Sequence, residues 1–435
     1  MHTDEDNSHP VRRGQRLAWY LFAFAGSILV FNGGLYFPQW LIVDNHAADT
    51  WYNGSLVFTT LLLLLSAPAL GRLSDRRLGR LLFLRITAGA MFAGTVMLFG
   101  ADQFIRSHDW RVVTALAGFV LTLYSYQLSL VFHNALLGRV ATVETYAKVS
   151  ANGVASSLLG GIIGIVAVLP FVEGSVFHLS AGRGQAFLPS ALMFGLLVLP
   201  SLLFMPDEIR PSLGVSESLD PLHTRIWRDI VAVRRQKQLF GFLIAYLIYS
   251  DVVLTIEDNA SIYLEKVMGF TDSEKAVLYL LLLIGAGLGA WLSAFVCRRM
   301  RYDRLLMCIL AGWLVSLGVL IAASNALVFY VMFFCVGMLF GALLNVSRII
   351  YMRLVPADKR GELFGVYSVF ERSASVVGPV VWSAPLVLLV GLGTVRYRVS
   401  MLLMAVLIGI SMVMVARLGA VETGLAGPKG PRPRA

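Results

Sequence analysis

The sequence predicts an all-α membrane protein with twelve transmembrane helices arranged as two six-helix bundles. Of its 435 residues, 57% are hydrophobic and only 14% are charged, whereas roughly 25% are charged in soluble proteins. Apolar runs of about 20 residues, long enough to cross a bilayer, recur along nearly the whole chain. The basic residues behind the net charge of +10 lie between these runs. Membrane topology therefore explains them better than binding to nucleic acid does.

The apolar runs fall into two groups of six, one on each side of a polar central segment. The predicted spans cover residues 17–37, 51–70, 81–101, 112–135, 150–171, 185–205, 239–264, 274–297, 305–325, 327–350, 362–390 and 399–418. They divide the chain into an N-terminal tail (1–16), an N-terminal bundle (17–205), a basic linker (206–238), a C-terminal bundle (239–418) and a tail (419–435) that we expect to be disordered.

The distribution of lysine and arginine orients the spans. If the N-terminus lies in the cytoplasm, the cytoplasmic segments carry about 27 of the 36 basic residues and the opposite segments carry about 7. Cytoplasmic loops of membrane proteins are enriched in basic residues. We therefore expect both termini, and the linker between the bundles, to be cytoplasmic.

Two charged residues lie deep inside the eleventh predicted span. Glu371 and Arg372 are roughly nine residues from its start, about 13 Å at 1.5 Å per residue. Charges at that depth are costly unless they face a protein interior or a water-filled cavity. Tyr367 and Ser375 share the helix face of Glu371, while Arg372 is turned by about 100°. We expect Glu371 to face a cavity and Arg372 to contact a neighbouring helix.

The seventh predicted span carries further carboxylates. Asp251 lies near half depth, and Asp251, Thr255 and Asp258 share one face by their i, i+4, i+7 spacing. We expect Asp251 to meet Glu371 or Arg372 across the central cavity of the C-terminal half, directly or through a substrate. Arg372 would suit a substrate carboxylate, and a carboxylate that burial keeps protonated would suit proton coupling. The alternative is a salt-bridge network that fixes the helices and contacts no substrate.

Other polar residues within spans complete the candidate pathway. They are Asn345 and Arg348 in the tenth span and Tyr124, Gln127 and Asn134 in the N-terminal half, where Asn32 and His133 are further polar residues within spans. A single histidine in a span is more often part of hydrogen-bonded packing than a proton carrier. Hydroxyl and amide side chains in such helices commonly serve helix–helix contacts.

The loop between the second and third spans reads Gly71-Arg-Leu-Ser-Asp75-Arg76-Arg-Leu-Gly79-Arg80. It resembles the signature loop of the major facilitator superfamily, although its second glycine comes one residue later than in the common pattern. Glycine suits a tight turn, and Asp75 can pair with basic groups or with a helix N-terminus. We assign Gly71, Asp75, Arg76, Gly79 and Arg80 to a cytoplasmic gate, and an ordinary basic loop is the alternative.

Most of the chain is similar to the vacuole effluxer family within that superfamily. The similarity rests on the stretches Ala18–Ser27, Ser150–Gly161, Phe242–Asp251, Ser347-Arg348 and Leu363–Pro379. Fungal members are implicated in releasing amino acids from the vacuole, and most bacterial members have no assigned substrate. The chain departs from the family at Phe22-Ala23, where Tyr-Asp is usual, and at Val252, where glycine is usual.

These observations predict a major facilitator fold and a secondary transporter that moves an amino acid or a similar small polar solute by alternating access. The expected partners are that solute, the lipid bilayer and, if transport is coupled, protons. No P-loop, zinc-protease, serine-elbow or haem motif is present, so we expect no cofactor, no metal and no enzyme activity. The resemblance implies a monomer in the bacterial inner membrane. Two alternatives stay open: a receptor or partner protein on a transporter scaffold, and an exporter of amphipathic molecules, which would need a more apolar cavity.

Overall fold

The computed structural model describes residues 13–74, 79–142, 145–176, 180–205, 234, 236–355 and 375–419. Most of the predicted linker and of both predicted tails lies outside these ranges. The main helices are α1 (Arg13–Gln39), α2 (Asp49–Leu73), α3 (Arg80–Phe104), α4 (His108–Ala135), α5 (Tyr146–Val172), α6 (Phe187–Phe204), α7 (Lys237–Met268), α8 (Asp272–Val296), α9 (Tyr302–Ala322), α10 (Ala326–Leu354), α11 (Val377–Leu388) and α12 (Val395–Gly419).

These helices confirm the predicted all-α membrane fold. In the described part of the chain, eleven helical segments are long and apolar enough to cross a bilayer, and α11 is a shorter apolar helix. A π-helical turn, Trp40–Asp44, extends α1, and a 3₁₀ turn, Arg183–Ala186, precedes α6. We call the side on which α1 begins and α12 ends the termini side, and the opposite side the far side.

The eleventh span differs from its prediction. The sequence predicts a continuous helix over 362–390. Residues 362–374 lie outside the described ranges, and in the described part of the span the helix α11 begins at Val377, after a break at Ser375 and Val376. Ser375 has φ of 118°, a conformation that is unusual for a residue with a side chain. Proline provides a local reason, because the ring of Pro379 in a continuous helix would clash with the carbonyl four residues earlier, that of Ser375. In the first turn of a new helix the same proline is tolerated.

Within each half, adjacent helices pack closely through glycine. In the C-terminal half a β-carbon on Gly289 of α8 would collide with the carbonyl oxygen of Met338 in α10. A β-carbon on Gly341 of α10 would likewise collide with the carbonyl of Ala286. Close backbone approach through small residues is a common way for membrane helices to associate. The α8–α10 pair is therefore expected to move as one unit.

Replacing Gly289 with alanine should destabilise the C-terminal half, because the added methyl group has no space unless α8 and α10 separate. Overpacking of this kind typically costs about 1–3 kcal/mol, and we expect a lower melting temperature of the detergent-solubilised protein. Gly318→Ala in α9 is the matched control, since nothing lies within 4 Å of the added atom. Equal melting temperatures for the two variants would contradict the close packing.

Among the described residues, three helix pairs make the most extensive contacts between the two halves. Helix α1 contacts α7, α2 contacts α11, and α5 contacts α8. Each pair joins one helix from residues 13–204 to one from residues 237–419, so most of the seam between the halves runs along these six helices. The polar residues described next lie on or near this seam.

Candidate functional site

A cluster of five charged residues joins the two halves on the far side. Arg183, just before α6, donates through Nη1 to Asp44 Oδ1 at 2.7 Å and through Nη2 to Glu265 Oε1 at 2.8 Å. Its Nε lies 3.2 Å from both carboxylate oxygens of Asp272. Asp44 belongs to the N-terminal half, while Glu265 and Asp272 belong to α7 and α8. One guanidinium group therefore links carboxylates from both halves.

Lys275 completes this far-side cluster and is fully buried. Its Nζ lies 2.6 Å from Glu265 Oε2 and 2.9 Å from Asp272 Oδ1, and it also donates to Gln39 Oε1 of α1. Three carboxylates thus surround two cations, and four of the five side chains are largely withdrawn from water while that of Asp44 is 38% exposed. Removing one partner from such a group leaves a buried charge unpaired, which typically costs about 3–5 kcal/mol.

A second layer of contacts between the halves lies deeper along the seam. The side-chain amides of Asn53 in α2 and Asn259 in α7 exchange two hydrogen bonds, of 3.1 and 3.0 Å. Tyr52 donates its hydroxyl to the carbonyl of Asp258 at 3.1 Å. The hydroxyl of Tyr397 in α12 lies 2.9 Å from Asp49 Oδ1.

All of these polar contacts lie toward the far-side ends of the helices. Between the described parts of the two halves, the termini-side ends show no comparable hydrogen bond or ion pair. The far side is therefore closed by side chains from both halves, and opening it would break the far-side cluster and the asparagine pair together.

Asp251 of α7 caps the start of α11. Its Oδ1 accepts a hydrogen bond from the backbone N–H of Ser375 at 2.8 Å, and its Oδ2 accepts one from Gly378 at 2.6 Å. The first backbone N–H groups of a helix have no partner within that helix, and a carboxylate at this position also interacts favourably with the helix dipole. Asp251 thus supplies from another helix the cap that α11 lacks in its own sequence.

Thr255 lies one turn further along α7 and packs on the same junction. A β-carbon on Gly378 would collide with Thr255 Oγ1 and would also approach Asp251 Oδ1. The hydroxyl of Thr255 is fully buried and has no hydrogen-bond partner among the described residues. The shared face of Asp251 and Thr255 predicted from spacing therefore exists, and in the described structure it contacts α11.

One face of helix α1 also carries buried polar groups that have no hydrogen-bond partner among the described residues. Asn32, Tyr36 and Gln39 follow i, i+4, i+7 spacing, and Gln39 contacts Lys275 of the C-terminal half. Both side-chain polar atoms of Asn32 and the hydroxyl of Tyr36 are buried without a hydrogen-bond partner in the described structure. Buried polar groups are nearly always paired. These atoms are exceptions to that rule, so they are available to hydrogen-bond a polar ligand that reaches them.

The other candidates in the N-terminal half have local partners or lie at the surface. Tyr124 bonds Ser66 Oγ of α2 at 2.7 Å, Gln127 is half-buried in α4, and Asn134 is exposed. His133 stacks on Trp19 at 4.3 Å, and each residue bonds the other's backbone carbonyl at 2.9 Å. This double contact agrees with the interpretation of His133 as a packing residue.

The remaining described candidates of the C-terminal half take part in different contacts. Asn345 of α10 donates to Ser293 Oγ of α8 at 2.9 Å, so it ties two helices of the same half. Arg348 is exposed near the termini-side end of α10. The side chain of Asp258 is half-buried on α7, and its backbone carbonyl is bonded by Tyr52.

The signature loop is described only at its two ends. Gly71 lies in the last turn of α2, and Gly79 has φ of 77°, a conformation that glycine adopts without strain. Arg80 Nη1 donates to the carbonyl of Ala135 at the end of α4, 3.1 Å away. Asp75 and Arg76 lie outside the described residues, so the gate assignment stays a prediction.

The residues predicted to meet Asp251, Glu371 and Arg372, also lie outside the described ranges. So does Tyr367, which is predicted to share the helix face of Glu371. A contact between Asp251 and Glu371 or Arg372 is therefore still a prediction. What the structure adds is that both oxygens of Asp251 already accept backbone hydrogen bonds.

None of the five residues of the far-side cluster is predicted from the sequence to be a site residue. Charged side chains near helix ends are usual in membrane proteins, so Arg183 and Lys275 give no signal in a hydropathy profile. The capping box at Thr271 and Glu274 marks the start of α8. The capping box does not predict the burial of Lys275, because that burial depends on contact with Gln39 of the N-terminal half.

Comparison with known proteins agrees with this architecture. The MFS-type transporter YxiO of Bacillus subtilis (strain 168) is 24% identical over 352 residues, which cover 77% of this chain and 78% of YxiO. Autophagy-related protein 22 of Vanderwaltozyma polyspora is 24% identical over 169 residues, or 36% of this chain. That alignment spans 31% of the fungal protein.

Solved structures show the same fold at lower identity. The D323A mutant of the nucleoside transporter NupG superposes with a TM-score of 0.74 at 14% identity, covering 94% of this chain and 100% of that one. Residues 134–379, more than half of the chain, match the family described as Major Facilitator Superfamily. The fold, the family match and the relatives are those of transporters, and the chain resembles the vacuole effluxer group among them. The protein belongs to the major facilitator superfamily.

Proposed function

We propose that the protein is a secondary transporter of a small polar solute, working by alternating access between its two halves. The observation that carries this proposal is the closure of the far side by contacts between the halves. Arg183 and Lys275 hold groups from both halves there, and the asparagine pair closes the seam beneath them. A transporter of this kind opens on one side while the other is held shut.

The unpartnered groups of α1 support a polar solute. The amide of Asn32 and the hydroxyl of Tyr36 offer donors and acceptors on a face that continues to the seam. Neither residue has a charge, so they suit the hydroxyl, amide, amine or carboxyl groups of a small molecule. An amino acid fits this chemistry, and the resemblance to the vacuole effluxer family favours the same class.

Proton coupling is part of this proposal. Asp251 and Asp258 are carboxylates within α7, and titratable groups inside transport proteins commonly act in proton relays. The basic-residue distribution favours cytoplasmic termini, which would place the closed far side in the periplasm of a bacterial cell. The bacterial inner membrane is the location that the same orientation and the bacterial relative favour.

Uptake into proteoliposomes tests the proposed function. We expect purified protein to accumulate one or more labelled amino acids when a pH gradient is imposed, and to lose accumulation when a protonophore collapses it. Empty liposomes and liposomes without a gradient are the controls. The same assay is repeated with nucleosides, sugars and organic acids. If the protein binds one of these solutes or an amino acid but accumulates none of them, the proposal is contradicted and a receptor is favoured.

A further inference from the structure

Helices α8 and α9 border a groove whose floor is α10. Met338 of α10 lies against Gly289 of α8, and the neighbouring Leu339 lies against Gly312 of α9. Helices α8 and α9 are joined by the short turn 297–301, yet they are not among the helix pairs in extensive contact. The residues of α10 whose spacing places them between its two contacts are only half-buried: Cys335, Ala342 and Ile349. The floor of the groove is therefore only partly covered by protein.

An apolar stripe on the outward face of α8 flanks this groove. Ile284, Leu288, Trp291 and Phe295 follow i, i+4, i+7, i+11 spacing, and each is at least 45% exposed. Tryptophan is enriched where the hydrocarbon of a bilayer meets its head groups. One turn beyond Phe295, the guanidinium group of Arg299 lies 4.7 Å from the centroid of the Phe295 ring. The stripe that faces the lipid therefore ends in a cation at the level of the head groups.

Three arginines at the termini-side mouth of the groove have no acidic partner. Arg298, Arg299 and Arg304 lie at the end of α8 and the start of α9, and all three are exposed. Within the described ranges they make no hydrogen bond and no ion pair. The carboxylate of the same turn, Asp303, is already paired with Arg301 at 3.0 Å. The mouth of the groove therefore carries positive charge that the described residues leave uncompensated.

Arg353 adds a fourth guanidinium group from the floor of the groove. Its spacing of four residues from Ile349 and eleven from Ala342 places it on the groove side of α10. The group is exposed and lies 4.6 Å from the centroid of the Tyr302 ring, at the start of α9. Three helices thus bring four cations to one end of an apolar groove that faces the bilayer.

We propose that this groove binds an anionic phospholipid, with its phosphate held by Arg298, Arg299 and Arg304 and an acyl chain lying on α10. Guanidinium groups form paired hydrogen bonds with phosphate oxygens, and basic pockets between membrane helices bind anionic head groups. The exposed stripe on α8 favours a lipid over a soluble phosphate compound, which has no apolar chain to place there. The site lies outside the seam and goes beyond the proposed transport of a polar solute.

Native mass spectrometry of the purified protein with dioleoylphosphatidylglycerol and dioleoylphosphatidylcholine tests the proposal. These lipids have the same acyl chains and differ in net charge. We expect one phosphatidylglycerol to be retained with roughly tenfold higher affinity than phosphatidylcholine, and the double variant Arg298→Gln with Arg299→Gln to lose most of that difference. The control is Arg139→Gln with Lys148→Gln, which removes two positive charges from exposed termini-side positions of the other half. Its affinity for phosphatidylglycerol should equal that of the parent.

Three results would overturn the proposal. One is equal retention of the two lipids by the unaltered protein, a comparison that needs no variant to fold. The second is an equal affinity for phosphatidylglycerol in the two double variants, which would indicate general surface charge instead of a site in the groove. The third is displacement of the bound lipid by an equal concentration of glycerol phosphate, which would indicate a site for a soluble phosphate compound.

Discussion

Replacing Asp251 with alanine should lower the stability of the protein and abolish transport. The substitution removes both acceptors of the Ser375 and Gly378 N–H groups. A buried donor without an acceptor costs about 1–3 kcal/mol, and more when the lost acceptor is charged. The start of α11 should lose its position against α7, and a melting curve in detergent together with uptake in liposomes would show both effects.

A graded series distinguishes capping from a role in proton transfer. Asp251→Asn keeps one acceptor oxygen but turns an NH₂ group toward a backbone donor, so we expect intermediate stability. A capping role alone predicts that uptake falls in proportion to the loss of stability. A role in coupling predicts that Asp251→Asn still exchanges labelled solute at equilibrium but no longer accumulates it under a pH gradient. Parent-like stability of Asp251→Ala would refute the cap.

Replacing Arg183 with glutamine should open the far side. Asp44, Glu265 and Asp272 would lose their common cation, and Lys275 alone would face three carboxylates. Their repulsion favours separation of the halves. Spin labels on Ser107→Cys and Ser324→Cys, exposed far-side positions in opposite halves, should report a longer and broader distance distribution by pulsed electron resonance.

Arg111→Gln is the matched control for this experiment. It removes the same charge on the same side, but the hydrogen bonds of Arg111 reach only Asn45, Ile105 and Arg106 of its own half. We expect its distance distribution to equal that of the parent. If Arg183→Gln also leaves the distribution unchanged, the far-side cluster does not hold the halves together.

The helices could be predicted from sequence because the bilayer imposes a length and an apolar composition on each span. Boundaries shifted by a few residues at charged ends, as at Arg13, where α1 begins earlier than predicted. The interruption before α11 could not be found from hydropathy alone. Pro379 gives a local hint, but the cap comes from Asp251, more than a hundred residues earlier in the chain.

The candidate site was predictable only in part, and for a related reason. The depth of Asp251 in an apolar run marks it as important, yet its partners are backbone groups that no side-chain pattern reveals. Lys275 is buried because Gln39 and Glu265 cover it, a contact between distant parts of the sequence.

Cross-linking the seam tests the central proposal, alternating access between the two halves, most directly. Asn53→Cys and Asn259→Cys would place two thiols where the amides now lie about 3 Å apart, in a background without Cys297, Cys308 and Cys335. A short, reducible bifunctional thiol reagent would then hold the far side shut. A second pair, Ser27→Cys and Ser157→Cys, links α1 to α5 within one half and is the control.

We expect the cross-link between Asn53→Cys and Asn259→Cys to abolish uptake and its reduction to restore uptake, while the control cross-link leaves transport unchanged. Full transport by a protein that is cross-linked across the seam would contradict alternating access through the far side.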